Sequence, residues 1–216
     1  MDFAVARHNM VESQIRPNRV TDPYIIEAIA KLPRESFVPK SLVGVAYVDE
    51  AIPIGAGRYM MEPMVLARLL QAAEVHEDDI ALLVGCGSGY EAAILSWLAS
   101  AVVALESDSE LAIRASDIMA EISIDTVAVV EGELGLGFAR QAPYDVIVIN
   151  GAVAEIPATI SEQLSEGGRL VAVVGEGPMG KATRVTKNNG VLSSRVIFDA
   201  GTPNLAGFEA LSSFSF

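Results

Sequence analysis

From Asp79 onward, short uninterrupted apolar runs alternate with amphipathic stretches. Parallel β-α units leave this pattern when helices cover both faces of a sheet. Ile80-Ala81-Leu82-Leu83-Val84 is the first run, Ala101-Val102-Val103-Ala104-Leu105 the second and Thr126-Val127-Ala128-Val129-Val130 the third. Val146-Ile147-Val148-Ile149 and Leu170-Val171-Ala172-Val173-Val174 follow. Helical spacing falls between the runs at Tyr90–Leu98, Ser109–Glu121 and Ala158–Leu164. After Gly180 the alternation changes. Ala182–Lys187 and Ser194–Phe198 are split by Asn188-Asn189-Gly190, and Asn-Gly between two strand-like runs predicts a hairpin. The expectation is an α/β fold with a doubly wound, mostly parallel sheet and an antiparallel C-terminal edge.

The segment ahead of this pattern reads differently. Thr21-Asp22-Pro23 sets a capping residue and a proline before the apolar stripe Ile25, Ile26, Ile29, which predicts a helix. Pro33 stops it, and Phe37-Val38-Pro39 reads as an extended link. Residues 1–78 are therefore expected to form a helical cap and substrate-side segment, and residues 79–216 the core domain. The tail from Leu205 to Phe216 is apolar and aromatic, with the character of a last strand or a subunit-pairing patch.

Charge narrows the class. The chain of 216 residues carries a net −13, and its first 40 residues are close to neutral, so the negative charge lies on the core. Such a surface repels phosphates, which argues against nucleic acid or an anionic membrane as partner. Two histidines, His8 and His76, and a single cysteine, Cys86, leave no metal site and no internal disulfide. Met1-Asp2 opens no basic-then-apolar leader. The reading is a cytoplasmic protein.

The chemistry-bearing candidate is the turn Val84-Gly85-Cys86-Gly87-Ser88-Gly89-Tyr90, between the first run and the following helix. Glycines there let the backbone turn sharply and approach a ligand at a helix N-terminus. The second run ends in Glu106, twenty-one residues after Gly85, about the spacing at which an acid meets a ribose hydroxyl in nucleotide-binding sheets. A dinucleotide fingerprint would put its third glycine at position 90, where Tyr90 stands. The tighter spacing favours S-adenosylmethionine, which has no pyrophosphate to cradle. No Walker lysine follows the turn.

With these residues in hand, the chain resembles the protein-L-isoaspartate O-methyltransferase family from Met10 to about Gly175. The resemblance rests on Gln14-Ile15-Arg16, Leu32-Pro33-Arg34-Glu35-Ser36-Phe37-Val38-Pro39, Ile52-Pro53-Ile54-Gly55 and the turn through Tyr90-Glu91. Gln141-Ala142-Pro143-Tyr144-Asp145 and Gln163-Leu164-Ser165-Glu166-Gly167-Gly168-Arg169-Leu170-Val171 extend it. It implies a Rossmann-like S-adenosylmethionine methyltransferase fold with an N-terminal helical cap. The implied activity is transfer of a methyl group to the carboxylate of isoaspartyl residues in damaged proteins or peptides; the ester then closes to a succinimide. Gly85, Cys86, Gly87 and Gly89 are implied along the cofactor, Glu106 with Ser107 at its ribose, and Gly132-Glu133 near its adenine.

The chain departs from the family at two places. Where the family has Gly-Gln-Thr-Ile-Ser, this chain has Gly57-Arg58-Tyr59-Met60-Met61. Met61 takes the place of the catalytic serine, and a thioether donates no hydrogen bond. Arg58 and Tyr59 are the candidate replacements, since a guanidinium binds carboxylates bidentately. Leu83 stands where an acid would anchor the cofactor's tail. Two further readings share the scaffold: a methyltransferase with a changed substrate, and a binding protein that keeps the fold without catalysis.

Overall fold

A computed structural model describes residues 2–175 and 179–208. Its centre is a seven-stranded sheet of β3 (Ile80–Val84), β4 (Ala101–Glu106), β5 (Val127–Glu131), β6 (Tyr144–Val153), β7 (Leu164–Val174), β8 (Lys181–Asn188) and β9 (Val191–Asp199). The strand order is β5-β4-β3-β6-β7-β8-β9. The pairs from β5 across to β7 are parallel. β7–β8 and β8–β9 are antiparallel, the latter turning at Asn189-Gly190 as the sequence predicts. A short antiparallel hairpin, β1 (Ile52–Gly55) and β2 (Arg58–Met60), stands apart from the sheet.

The apolar runs are continuous because both faces are buried. Ala81, Leu83, Val102, Ala104, Val146 and Val148 enter one hydrophobic cluster, while Leu82, Val84, Val103, Leu105, Ile147 and Ile149 enter the other. Alternate side chains of a strand point to opposite faces, so each face collects every second residue. The first face is covered by α3 (Pro63–Ala73), α4 (Tyr90–Leu95) and α5 (Ser109–Glu121), which supply Leu66, Leu69, Ile94, Ala115 and Ile118. Met10 of α1 (Phe3–Met10) and Ile25 and Ile29 of α2 (Pro23–Lys31) join the same cluster, so the segment before residue 79 shares one core with the sheet. The second face is more thinly covered, by Leu134, Ile160 of α6 (Ala158–Ser161) and Leu205.

Local signals explain the ends. Asp22 accepts from the Tyr24 and Ile25 N–H groups at 2.9 and 3.2 Å, capping α2 with Pro23 in its first turn. Asp108 caps α5 through the Leu111 N–H at 2.9 Å. Some extents differ from expectation. α4 ends at Leu95, ahead of the expected Leu98, and α6 ends at Ser161 because Leu164 already belongs to β7. Phe37 closes a short helical turn, Arg34–Phe37, and only Val38 and Pro39 are extended. Trp97, within the stretch expected to be helical, lies past the end of α4 and is 45% exposed. It lies with Asp22, Tyr24, Val75 and Asp78 along a groove between α2 and the end of α4, and the Lys31 Nζ sits 5.9 Å over its ring.

Candidate active site

The sheet has one topological switch point. β3 pairs with β4 on one side and β6 on the other, so the connections leave in opposite directions and open a crevice beyond the strand ends. Its floor is the turn after β3. Gly85, Gly87 and Gly89 have φ of +79°, +55° and +96°, a region from which a Cβ is disfavoured. The Gly85 and Cys86 N–H groups donate to the Leu105 carbonyl at 2.8 and 3.0 Å, binding the turn to the end of β4. A Cβ on Gly89 would lie 2.9 Å from Met119, so this glycine serves the packing of α4 on α5. Cys86 is buried, and burial, with the Glu106 and Glu91 carboxylates adding to it, pushes its thiol up. It stays a protonated, inert thiol.

Glu106 ends β4 with its side chain fully out of solvent. One carboxylate oxygen accepts from the Ser107 and Asp108 N–H groups at 2.8 and 3.1 Å, and the other from the Gly87 N–H at 2.9 Å. The fourth donor is Arg58, whose Nε lies 3.1 Å from the carboxylate. Arg58 is itself only 6% exposed. It also donates to Ser107 Oγ at 2.8 Å and to the Ala206 carbonyl at 3.2 Å. The arginine expected to receive a substrate carboxylate thus holds one of the protein's own.

Arg58 reaches this position because β1–β2 turns at Gly55, Ala56 and Gly57, all with positive φ. Burial alternates along β2, with Arg58 and Met60 inside and Tyr59, 40% exposed, outside. The proline-bearing segment fixes the hairpin's end. Arg34 is completely buried, stacks 4.8 Å over the Tyr90 ring and donates to the Ala46 and Met61 carbonyls at 2.8 and 2.7 Å. Phe37 meets the same ring edge-on, with centroids 5.3 Å apart. The Met61 N–H donates to Glu91 Oε1 at 3.3 Å. Burial raises the Glu91 carboxyl above the usual carboxylate range, against the lowering influence of its backbone hydrogen bonds and Arg34.

The crevice is also reached by the chain's end. After β9 the backbone returns across the tips of β3 and β6. The Ala152 N–H donates to the Pro203 carbonyl at 2.9 Å, and the Leu205 N–H to the Ala152 carbonyl at 2.8 Å. Leu205 is 3% exposed. A Cβ on Gly85 would lie 2.7 Å from its Cδ1, and one on Gly151 would lie 2.9 Å from its Cβ. Ile54 of β1 likewise stands 2.5 Å from the Cβ position of Gly87. The tail from Leu205 is thus neither strand nor exposed patch as far as Phe208; residues 209–216 lie outside the described residues.

The structure gathers Arg58, Glu106, Ser107, Gly85, Cys86, Gly87 and Gly89 at one place. Gly132 is tied to it through its N–H, 3.0 Å from the Glu106 carbonyl, while Glu133 is exposed on the loop beyond it. Met61 is buried at the end of the hairpin, and Leu83 is wholly within the first hydrophobic cluster. Sequence reasoning missed Asn150, whose Nδ2 donates to the Gly85 carbonyl at 3.0 Å. Its place at the end of an apolar run was the available signal, since ligands bind beyond strand ends. It also missed Leu205, for which no local signal exists. No cluster of three potential metal ligands occurs among the described residues.

A family model for Protein-L-isoaspartate(D-aspartate) O-methyltransferase matches residues 6–199. A Protein-L-isoaspartate O-methyltransferase of Methanoculleus marisnigri is 40% identical over 184 residues, covering 85% of this chain and 84% of its own. One from Koribacter versatilis is 35% identical over 210 residues, 97% of this chain and 95% of its own. Among solved structures, a protein-L-isoaspartate O-methyltransferase superposes with a TM-score of 0.81 at 24% identity, over 94% of this chain and 67% of that one. A Plasmodium falciparum structure described as a beta-aspartate methyltransferase in complex with S-adenosyl-L-homocysteine gives 0.80 at 18% identity, over 93% and 98%.

Proposed function

Because the chain belongs to the protein-L-isoaspartate O-methyltransferase family, we infer that it transfers a methyl group from S-adenosylmethionine to the carboxylate of isoaspartyl residues in damaged proteins. The observation that carries this reading at the site is the buried Glu106 at the end of β4, facing the glycine turn across the switch point. A carboxylate there is the acceptor that two ribose hydroxyls need. Ser88 Oγ and Asn150 Oδ1 are buried beside the same turn without a protein partner, which leaves polar capacity for a ligand. The donor and acceptor set therefore fits an adenosyl compound.

We assign Glu106, with Ser107, to the ribose, and the backbone of Gly85, Cys86, Gly87 and Gly89 to the surface along which the cofactor lies. Gly132-Glu133 takes the adenine end. S-adenosylmethionine supplies a methyl group already activated by its sulfonium charge. A substrate carboxylate is ionised at neutral pH, so the chain needs no general base. Its work is to exclude water and hold the reactants in line. With methionine at position 61, Tyr59, on the exposed face of the hairpin, is the donor we assign to the substrate carboxylate, and Arg58 joins it only once its pair with Glu106 opens.

No helix among the described residues is long and apolar enough to cross a membrane, and we place the action on isoaspartyl proteins of the cytoplasm. Incubation with labelled S-adenosylmethionine and an isoaspartyl peptide tests the reading. Base-labile label in the peptide is the expected result. Cofactor binding without label would move the reading to a changed substrate, which the buried Met61 favours.

A further inference from the structure

The adenosyl site between the glycine turn and Glu106 is filled by the protein itself. Leu205 lies against Gly85 and Gly151, Ile54 against Gly87, and Arg58 against Glu106. Every residue of the turn from Gly85 to Gly89 is buried. The space left between Arg58, Asn150, Gly151 and Leu205 is a cavity of about 10 Å³, room for no more than a water molecule. Cofactor-sized ligands occupy pockets of about 300–1,000 Å³. The carboxylate is full as well as covered: its donors are three backbone N–H groups, Arg58 and, at 3.5 Å, the Ser107 hydroxyl. A ribose diol reaches Glu106 only when one of them leaves, and the three backbone groups belong to the turn and to the β4 end.

We propose that residues 202–206 are a strap which, latched through Arg58 to Glu106, occupies the adenosyl site, so that cofactor binding and strap release are one equilibrium. This rests on the methyltransferase reading of the site. The strap's hydrogen bonds include two backbone bonds to Ala152, one from Thr202 Oγ1 to Glu62 at 2.9 Å and one from Arg58 to the Ala206 carbonyl, and its Leu205 side chain is buried. It pairs with the sheet through an isolated parallel bridge, Asn204 to Ala152 near the end of β6, so the strap can leave while the seven-stranded ladders stay intact. The family model's match ends at residue 199, ahead of the strap. A ligand that binds only the strap-released form has its affinity lowered by the fraction released.

Calorimetry with S-adenosyl-L-homocysteine on the full chain and on Leu205→Ala, paired with amide hydrogen exchange on the wild type, tests this. Removing the plug is expected to tighten binding about tenfold or more by raising the released fraction. Saturating ligand is expected to speed exchange at the Leu205 and Ala152 amides while slowing it along the glycine turn. A ligand usually protects what it touches, so faster exchange at Leu205 is a signature of displacement. Equal affinity of the two proteins, with the Leu205 amide as protected as before, overturns the strap and leaves the methyltransferase reading standing. Silence from both proteins and from Arg58→Ala at millimolar ligand overturns that reading and the strap with it. The exchange measurement needs no variant, so poor folding of Leu205→Ala does not remove the test.

Discussion

Arg58 and Glu106 meet at 3.1 Å with both side chains almost wholly out of solvent, one from the small hairpin and the other from the end of a central strand. Each neutralises the other's burial. The carboxylate keeps three backbone donors without the arginine, whereas the arginine keeps only a hydroxyl and a carbonyl. Arg58→Met is therefore expected to cost roughly 2–4 kcal/mol of stability, since breaking a buried pair strands a charge. Glu106→Ala should cost a similar amount, and the double variant much less than the sum, with a coupling above about 1 kcal/mol. Urea titration of the four proteins measures it, and simple additivity would rule the pair out as a coupled unit.

Arg34→Lys tests the other buried arginine. A lysine cannot span the Ala46 and Met61 carbonyls with one planar fork, nor stack on Tyr90 in the same way. The expected loss is about 2–4 kcal/mol, from charge-assisted hydrogen bonds that leave buried carbonyls unsatisfied. A urea midpoint equal to wild type would show that the carbonyls find other donors.

Glu91 makes a prediction about pH. Its folded carboxyl binds a proton more tightly than an unfolded glutamate with a pKa of about 4.3, because burial raises it. The penalty for ionising it is absent below the unfolded value, grows as pH rises from there, and is complete above the folded value. Glu91→Gln is thus expected to gain stability relative to wild type as pH rises from about 4 to about 7. Urea titrations at the two ends of that window measure the gain. A difference that does not change with pH would mean that the ionised group is not penalised.

Gly85→Ala meets two obstacles: a φ of +79° and the Leu205 methyl at 2.7 Å from the new Cβ. The backbone strain alone costs about 1–3 kcal/mol. Adding Leu205→Ala should relieve the collision but not the strain, so the double variant is expected to be more stable than the sum of the single losses allows. Thermal melts decide the matter; full additivity would place Leu205 away from the turn in solution.

Met61→Ser restores the hydroxyl found in the family but removes a side chain that is 2% exposed within the first hydrophobic cluster. A stability loss of about 2–4 kcal/mol is expected from the cavity. Isoaspartyl methylation, assayed at a temperature where the variant stays folded, should rise. A stable variant with no gain would mean that the substrate has changed or that the site is closed.

Much of this architecture is legible in the chain because burial on both faces writes itself as uninterrupted apolar runs. Ile80–Val84 and Ser109–Glu121 have in the structure the bounds that pattern gives. The antiparallel edge is legible for a local reason, the Asn189-Gly190 turn. Glu106 and the glycine turn are legible because their spacing follows from one β-α unit. Arg58 is visible as a residue but not as a partner: its contact with Glu106 joins positions 48 apart, and no local pattern encodes which carboxylate a guanidinium will find. Leu205 is further still from the turn it covers, and its apolar character alone suits a strand, a subunit contact or a plug. The expected extent to Leu98 misleads because helical periodicity continues past Leu95, where the helix has already ended.

Trp97 is the chain's single tryptophan, and its half-open position between α2 and the end of α4 gives the molecule an intrinsic optical gauge. Its emission reads the seam where the leading helices rest on the sheet domain, with the Lys31 ammonium close by as a charged sensor of that contact. Loosening of the seam ahead of global melting would register as a spectral change while far-ultraviolet dichroism held steady.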